Sequence, residues 1–253
     1  MTQTVGSEID LSQFVFLPRR STNVVESHSI PSGVFGRYLY ESLRTKINAS
    51  IEQGGFGGND SFGLYEIDGS PAGSTPFLQI LADQTLEPHG ARTGLLAELN
   101  DAKVFDATRG KHYVDTRALI LRGTKKGNRI NLPIFEELAQ RVDSLEVPAM
   151  VYGLKVEAWS QDKNGYGLRL VPTGEFTVIH DDRFDTKWNE YRFNETDERG
   201  LPKSLDKENG NRTWYTNDQQ LSRLCLYWNL SVYSDDDNLA YSSDSGRVVS
   251  VAR

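Results

Sequence analysis

Six cations crowd into residues 111–130: Lys111, Arg117, Arg122, Lys125, Lys126 and Arg129, against Asp115 alone. Tyr113 and His112 lie among them. Cations meet phosphates and aromatic rings stack on bases, so this mixture has the chemistry of a single-stranded nucleic-acid contact. A second stretch, 150–171, adds Tyr152, Lys155, Trp159, Lys163, Tyr166 and Arg169. Lys125 and Lys126 fall in Thr124-Lys125-Lys126-Gly127-Asn128, which reads as a hairpin tip. Trp159 and Tyr166 flank a second turn, Asp162-Lys163-Asn164-Gly165, where Asn-Gly tolerates positive φ. The expected contact residues are Lys111, Tyr113, Arg117, Arg122, Lys125, Lys126, Arg129, Trp159, Lys163 and Tyr166. The partner would be single-stranded DNA or RNA.

Two other groupings compete. Residues 181–220 are dense in charge and poor in aliphatics, yet they carry Trp188, Tyr191, Trp214 and Tyr215. Trp and Tyr are the usual anchors of protein interfaces, so these four point to a protein partner. Asp181, Asp182 and Asp185 follow an apolar run at 176–179. Carboxylates at a strand end hold Mg²⁺ in nucleases, but no Glu-x-Lys tripeptide accompanies them in 147–180. The plainer reading is a capped turn.

Much else is excluded. His28, His89, His112 and His180 form no zinc-type pair, and Cys225 stands alone in an apolar run. Gly-x-Ser-x-Gly and Gly-x-Gly-x-x-Gly do not occur. The four glycines of Gln53–Asp60 follow a helix rather than a strand, so they make no phosphate loop. Asp235-Asp236-Asp237 reads as a solvated turn. No cofactor and no metal are expected. The 253 residues carry 28 basic against 35 acidic side chains, a net charge of −7. No apolar run approaches the roughly 18–20 residues of a membrane span. Met1-Thr2-Gln3-Thr4 lacks the basic and apolar regions of a secretory signal, so a cytoplasmic protein without membrane contact is expected.

The elements that must position these residues follow from periodicity. Leu39, Leu43, Ile47 and Ile51 share one stripe, predicting a helix over 33–52 after Pro31-Ser32. Residues 1–30 read as an irregular arm. Phe62, Leu64 and Ile67 suggest a short strand, and Pro76 leads into another at Phe77–Leu81. Leu95-Leu96 and Val104-Phe105 suggest weaker ones, followed by 117–122 and its return at 129–132. Pro133 opens a second helix through Leu145. Strands are expected at 147–160, 166–171 and 176–179. Residues 181–220 form an excursion that wraps the body. A strand alternates from Leu224 to Val232, and a hairpin closes the chain in 239–251.

Strands, one helix, then two long strands over about 76–180 is the order of an OB-fold. The expected class is therefore α+β, mainly β. It has an OB-like barrel within a main domain of 31–180, two amphipathic helices and a C-terminal β extension at 221–253. Pro76-Phe77-Leu78-Gln79-Ile80-Leu81, then Gly94-Leu95-Leu96, then Arg117–Leu121, resembles uncharacterised cyanobacterial and phage proteins that share a Pro-led LQIL strand. The resemblance covers about residues 76–122. It implies an accessory role in DNA metabolism, of a phage or mobile element, and carries over no functional residue. The combined reading is a non-enzymatic single-stranded nucleic-acid-binding protein. The alternatives are a protein-interaction subunit or inhibitor and, behind it, a metal-dependent nuclease.

Overall fold

The computed structural model describes residues 28–29, 33–52, 62–101, 112–159 and 166–252. Most of the arm, the Gln53–Asp60 loop, Val104-Phe105, Lys111, and Lys163 with its turn lie outside the described residues. The chain is α+β with more strand than helix. Among the described residues no helix is long and apolar enough to cross a membrane.

Seven strands form the main sheet: β5 (Val114–Leu121), β6 (Ala149–Ala158), β7 (Leu168–His180), β8 (Tyr191–Phe193), β9 (Arg212–Thr216), β10 (Leu221–Leu226) and β11 (Val232–Ser234). Their spatial order is β7-β6-β5-β10-β11-β9-β8. Neighbours are antiparallel except the parallel pair β11–β9. The first and last strands of that order are not paired, so the sheet is open and no closed barrel forms. A smaller sheet joins β1 (His28–Ser29), β12 (Ser250–Ala252) and β4 (Ala91–Thr93), and β2 (Tyr65–Ile67) pairs with β3 (Ser70–Ala72).

The helices are α1 (Gly33–Glu52), α2 (Pro76–Leu86), α3 (Leu96–Leu99) and α4 (Leu132–Ala139). Helix α1 falls where its stripe places it, with Leu39, Leu43 and Ile47 fully buried. Helix α2 replaces the expected Pro-led strand. Thr75 caps it, its hydroxyl accepting from the Leu78 amide at 3.1 Å, and Pro76 takes the first helical position. Phe77, Leu78, Ile80, Leu81, Ala82 and Leu86 are all buried, and so are Gln79 and Thr85, so the helix has no exposed face to show a 3.6-residue period. Leu96 likewise belongs to a helix, and α4 ends at Ala139, six residues short of Leu145.

Three more expectations change. No strand returns at 129–132; β5 instead lies between β6 and β10. The alternation Leu224–Val232 is broken by a turn at 227–231, where Leu230 takes φ +61°, so it makes two strands. The end of the chain makes no hairpin of its own, because β12 pairs with β1 and β4. Residues 181–220 supply β8 and β9 and much of a second core.

The sheet is buried on both faces. Leu119, Leu121, Val151, Leu154 and Leu170 pack beneath α1, α2 and α4. Ala118, Ile120, Met150, Leu224 and Val232 pack on the other face with Phe184, Phe193 and Trp214. Alternate residues of β5 thus serve opposite cores. Strand β7 continues through Pro172, which an edge strand accepts because its outward amide has no partner to lose.

Arg122, at the end of β5, joins the layers. It is 1% exposed. Its Nε donates to the Phe184 carbonyl at 2.8 Å. One Nη donates to Gln219 O at 3.2 Å and Ser222 Oγ at 2.8 Å. The other reaches Thr216 Oγ1 at 2.8 Å, Ser234 O at 2.9 Å and Ser234 Oγ at 2.8 Å. Burying a cation demands that its donors be satisfied, and these are. Truncation would orphan several buried acceptors and open a cavity, each a recognised source of large losses. We expect Arg122→Ala to lower stability by about 3–5 kcal/mol in urea titrations, against about 0.5 kcal/mol or less for exposed Lys125→Ala. Similar midpoints for both variants would remove Arg122 from this role.

Candidate functional site

The structure disperses the basic cluster. Arg117 pairs with Asp83 of α2 at 2.5 Å. Arg122 is the buried hub above and meets no phosphate. Lys126 pairs with Asp218 at 2.8 Å. Lys125 and Arg129 are exposed. Trp159, just past β6, is half-buried. Tyr166 is buried against Phe62 and Phe77, and its hydroxyl donates to Asn131 Oδ1 at 2.6 Å. Its ring has no face left for a base.

The acidic cluster is accounted for locally. Asp181 accepts from the Arg183 amide at 3.0 Å and its Nε at 2.8 Å. Burial alone would raise its pKa, but the Arg183 hydrogen bonds and charge hold it below the usual carboxylate range. Asp182 is exposed, 3.6 Å from Lys187, and Asp185 caps a turn by accepting from the Lys187 amide at 2.9 Å. Among the described residues no three His, Cys, Asp or Glu side chains are grouped to hold a metal. Trp214 is also internal: it is fully buried, donates from Nε1 to Arg183 O at 2.9 Å, and packs on Phe184. Trp188 and Tyr191 meet edge-to-face, half-buried.

Tyr215 lies elsewhere, in a grouping the chain order conceals. In register, Tyr215 faces Tyr233, Tyr233 faces Cys225, and Cys225 faces Asp115. Paired residues share a sheet face, as do residues two apart, so Tyr227 and Tyr113 join them. Four half-buried tyrosines form a row: Tyr215–Tyr233 at 4.4 Å between centroids, Tyr233–Tyr227 at 4.1 Å, Tyr227–Tyr113 at 5.8 Å. Their planes lie within about 30° of parallel. Helices α2 and α4 cover this face over β5–β7, with α1 packed on α2; over β9–β11 the tyrosines take their place. Trp228, next to Tyr227 in the turn after β10, and Tyr241, whose carbonyl accepts from Arg223, are 53% and 62% exposed.

Behind the row is a buried polar box. Ser74 Oγ accepts from the Asp115 amide at 2.6 Å and from Gln79 Nε2 at 3.1 Å. Tyr113 Oη and Ser242 Oγ are 2.7 Å apart. Gly73, at φ +99°, admits this close approach: a Cβ there would sit 1.6 Å from Gly63 O. Asp115 is fully buried with neither carboxyl oxygen hydrogen-bonded, and Arg223 Nε lies 3.6 Å away. Arg223 is shared with Asp236 and with Tyr241 O. Burial pushes Asp115 up to about 6 against the pull of Arg223. It also raises the Cys225 thiol well above its ordinary value, and Tyr227 to about 12. A nucleophilic cysteine needs the opposite shift, so Cys225 stays a protonated thiol beside protonated phenols.

The opposite sheet face has a hollow of about 430 Å³, floored by Ala118, Met150, Tyr152, Ile179 and Leu224 and walled by α3. It forms beside a bulge at Gly153, whose φ is +77° and where a Cβ would meet Glu175 O at 2.3 Å. Comparison with family models, curated proteins and solved structures gave no match for this chain.

Sequence reasoning picked out Tyr113 and Tyr215 for different surfaces and passed over Tyr227 and Tyr233. Taking 224–232 as one strand hid the turn that sets those two side by side.

Asp115 makes stability depend on pH. Its folded pKa, about 6, lies above the roughly 3.9 of an unfolded aspartate. Between these values the folded state binds the extra proton, so stability falls as pH rises through the window. The ionised carboxylate then opposes folding by about 3 kcal/mol at neutral pH. Relative to wild type, Asp115→Asn should gain about 2–3 kcal/mol between pH 4.5 and pH 7.5. Urea unfolding at both pH values measures this, and a pH-independent difference would rule it out.

Proposed function

We propose that this protein is a non-enzymatic interaction module that docks a polypeptide partner on the tyrosine face of its main sheet. The supporting observation is the row Tyr215–Tyr233–Tyr227–Tyr113 on the part of the face over which the described residues place no helix, with exposed Trp228 and Tyr241 on the adjoining chain segments. Tyrosine and tryptophan bring large contact area with few rotatable bonds, and such residues dominate interface energetics. The pre-stacked rings lose little freedom on binding. Among the described residues the nucleic-acid reading keeps Lys125, Lys126, Arg129 and Trp159 as accessible groups, with Lys126 already paired to Asp218 and Arg117 and Arg122 turned to internal partners.

The test compares two paired variants, Trp228→Ser/Tyr241→Ser and Trp188→Ala/Tyr191→Ala. Proteins captured from lysate by immobilised wild type are identified, and their affinities for each variant are measured. The first pair should weaken a specific partner by about tenfold or more with an unchanged melting temperature, and the second should leave it intact. Retention by the first pair would sink the proposal. Tight oligo-dT binding that falls in Lys125→Ala/Arg129→Ala would favour nucleic acid instead.

A further inference from the structure

We infer that the tyrosine face takes a cationic, Arg/Lys-rich segment of its partner, an assignment that rests on the interaction reading above. Two properties of the face carry it.

The first is uncompensated charge. Asp235 and Asp237 follow β11 directly, and Asp244 belongs to the segment laid against Tyr113, whose amide donates to Ser245 O. Among the described residues none of these three has an ion-pair partner within 4 Å, whereas four cations around them are committed. Arg223 serves Asp115 and Asp236, Lys126 serves Asp218, Arg122 serves its neutral acceptors, and Arg247 donates to the carbonyls of Asp244 and Gly246. Desolvation, with Asp236 alongside, also holds the carboxyls of Asp235 and Asp237 above their ordinary range. A docked cation would relieve that crowding, and a phosphate backbone would worsen it.

The second is ring geometry. At 4.1 and 4.4 Å between centroids, the inner tyrosines occupy one another's faces. A planar base finds no slot within the row. The row instead presents ring edges and phenolic oxygens, which accept hydrogen bonds from guanidinium and ammonium groups. Exposed Trp228 and Tyr241 supply the free ring faces that cation–π contacts need.

The probe is a fluorescein-labelled (Gly-Arg)₄ peptide, with (Gly-Gln)₄ and (Gly-Glu)₄ as matched controls, followed by anisotropy at low and moderate salt. Asp235→Asn/Asp237→Asn tests the rim. Glu175→Gln/Glu198→Gln, exposed beside the hollow on the opposite sheet face, makes the same change in net charge. Trp228→Ser/Tyr241→Ser tests the aromatic part. We expect the arginine peptide alone to bind, about fivefold or more weaker in the rim and aromatic variants and within about twofold of wild type in the opposite-face variant, with affinity falling as salt rises. No binding, equal binding of the glutamine peptide, or equal losses in the two charge variants would overturn the cationic assignment. If the captured partner still depends on Trp228 and Tyr241 under any of these results, the interaction reading survives. If Trp228→Ser/Tyr241→Ser changes neither peptide nor partner binding, both fall together.

Discussion

The architecture depends on one buried cation. Arg122 ends β5 and donates to acceptors on β9, β10, β11 and their flanking turns, and to the Phe184 carbonyl. These acceptors come from four separate stretches of chain, which must all arrive for the guanidinium to be solvated by protein. The planar fork fixes their directions as well as their number. None is a carboxylate; Asp185, Asp218 and Asp235 act only through space. Burial lowers the pKa to about 10, which still leaves the group charged at neutral pH. A cation held by neutral oxygens tolerates no substitute geometry, since each lost contact strands a buried polar atom. The β5-β10-β11-β9 order is therefore tied to this side chain as firmly as to its apolar packing.

The other end of β5 shows the converse. Asp115 is as deeply buried but lacks hydrogen bonds to its carboxyl oxygens, and its arginine is shared. One charge on the strand is solvated by the fold and the other is tolerated by it. That difference divides one sheet face. Over β5–β7 the helices close an apolar core. Beyond Asp115, where Ser74, Tyr113 and Ser242 hydrogen-bond to one another and to backbone, the covering layer gives way to the tyrosine row. The polar box is the seam between a sealed half and an accessible half.

What the sequence revealed follows from how each element is solvated. Helix α1 and strands β5, β6 and β7 were legible because each has a one-sided or continuous apolar pattern of adequate length. Helix α2 was not, because burial on nearly every side erased its period and left an apolar run that reads equally as strand. Asp68-Gly69, both at positive φ, was a hairpin signal in plain view between β2 and β3. The second core was masked by composition: charge dominates 181–220, yet Phe184, Phe193 and Trp214 turn inward together. Open sheet and closed barrel differ only in long-range pairing, which local pattern does not encode.

The site was less legible than the fold because charge is settled by partners far away in sequence. Arg117 finds Asp83, 34 residues earlier, and Lys126 finds Asp218, 92 residues later. Arg122 finds oxygens up to 112 residues away. Two cations of the basic stretch are thus neutralised and a third is turned inward. The acidic triplet, read as an ordinary turn, leaves Asp235 and Asp237 without an ion pair among the described residues, Arg223 being divided between Asp115 and Asp236. The potential an arriving partner meets depends on the charges left over after internal pairing, and at this face those are carboxylates. A charge read along the chain reaches a partner only where folding leaves it out of an ion pair, as it does Asp235 and Asp237 but not Arg117.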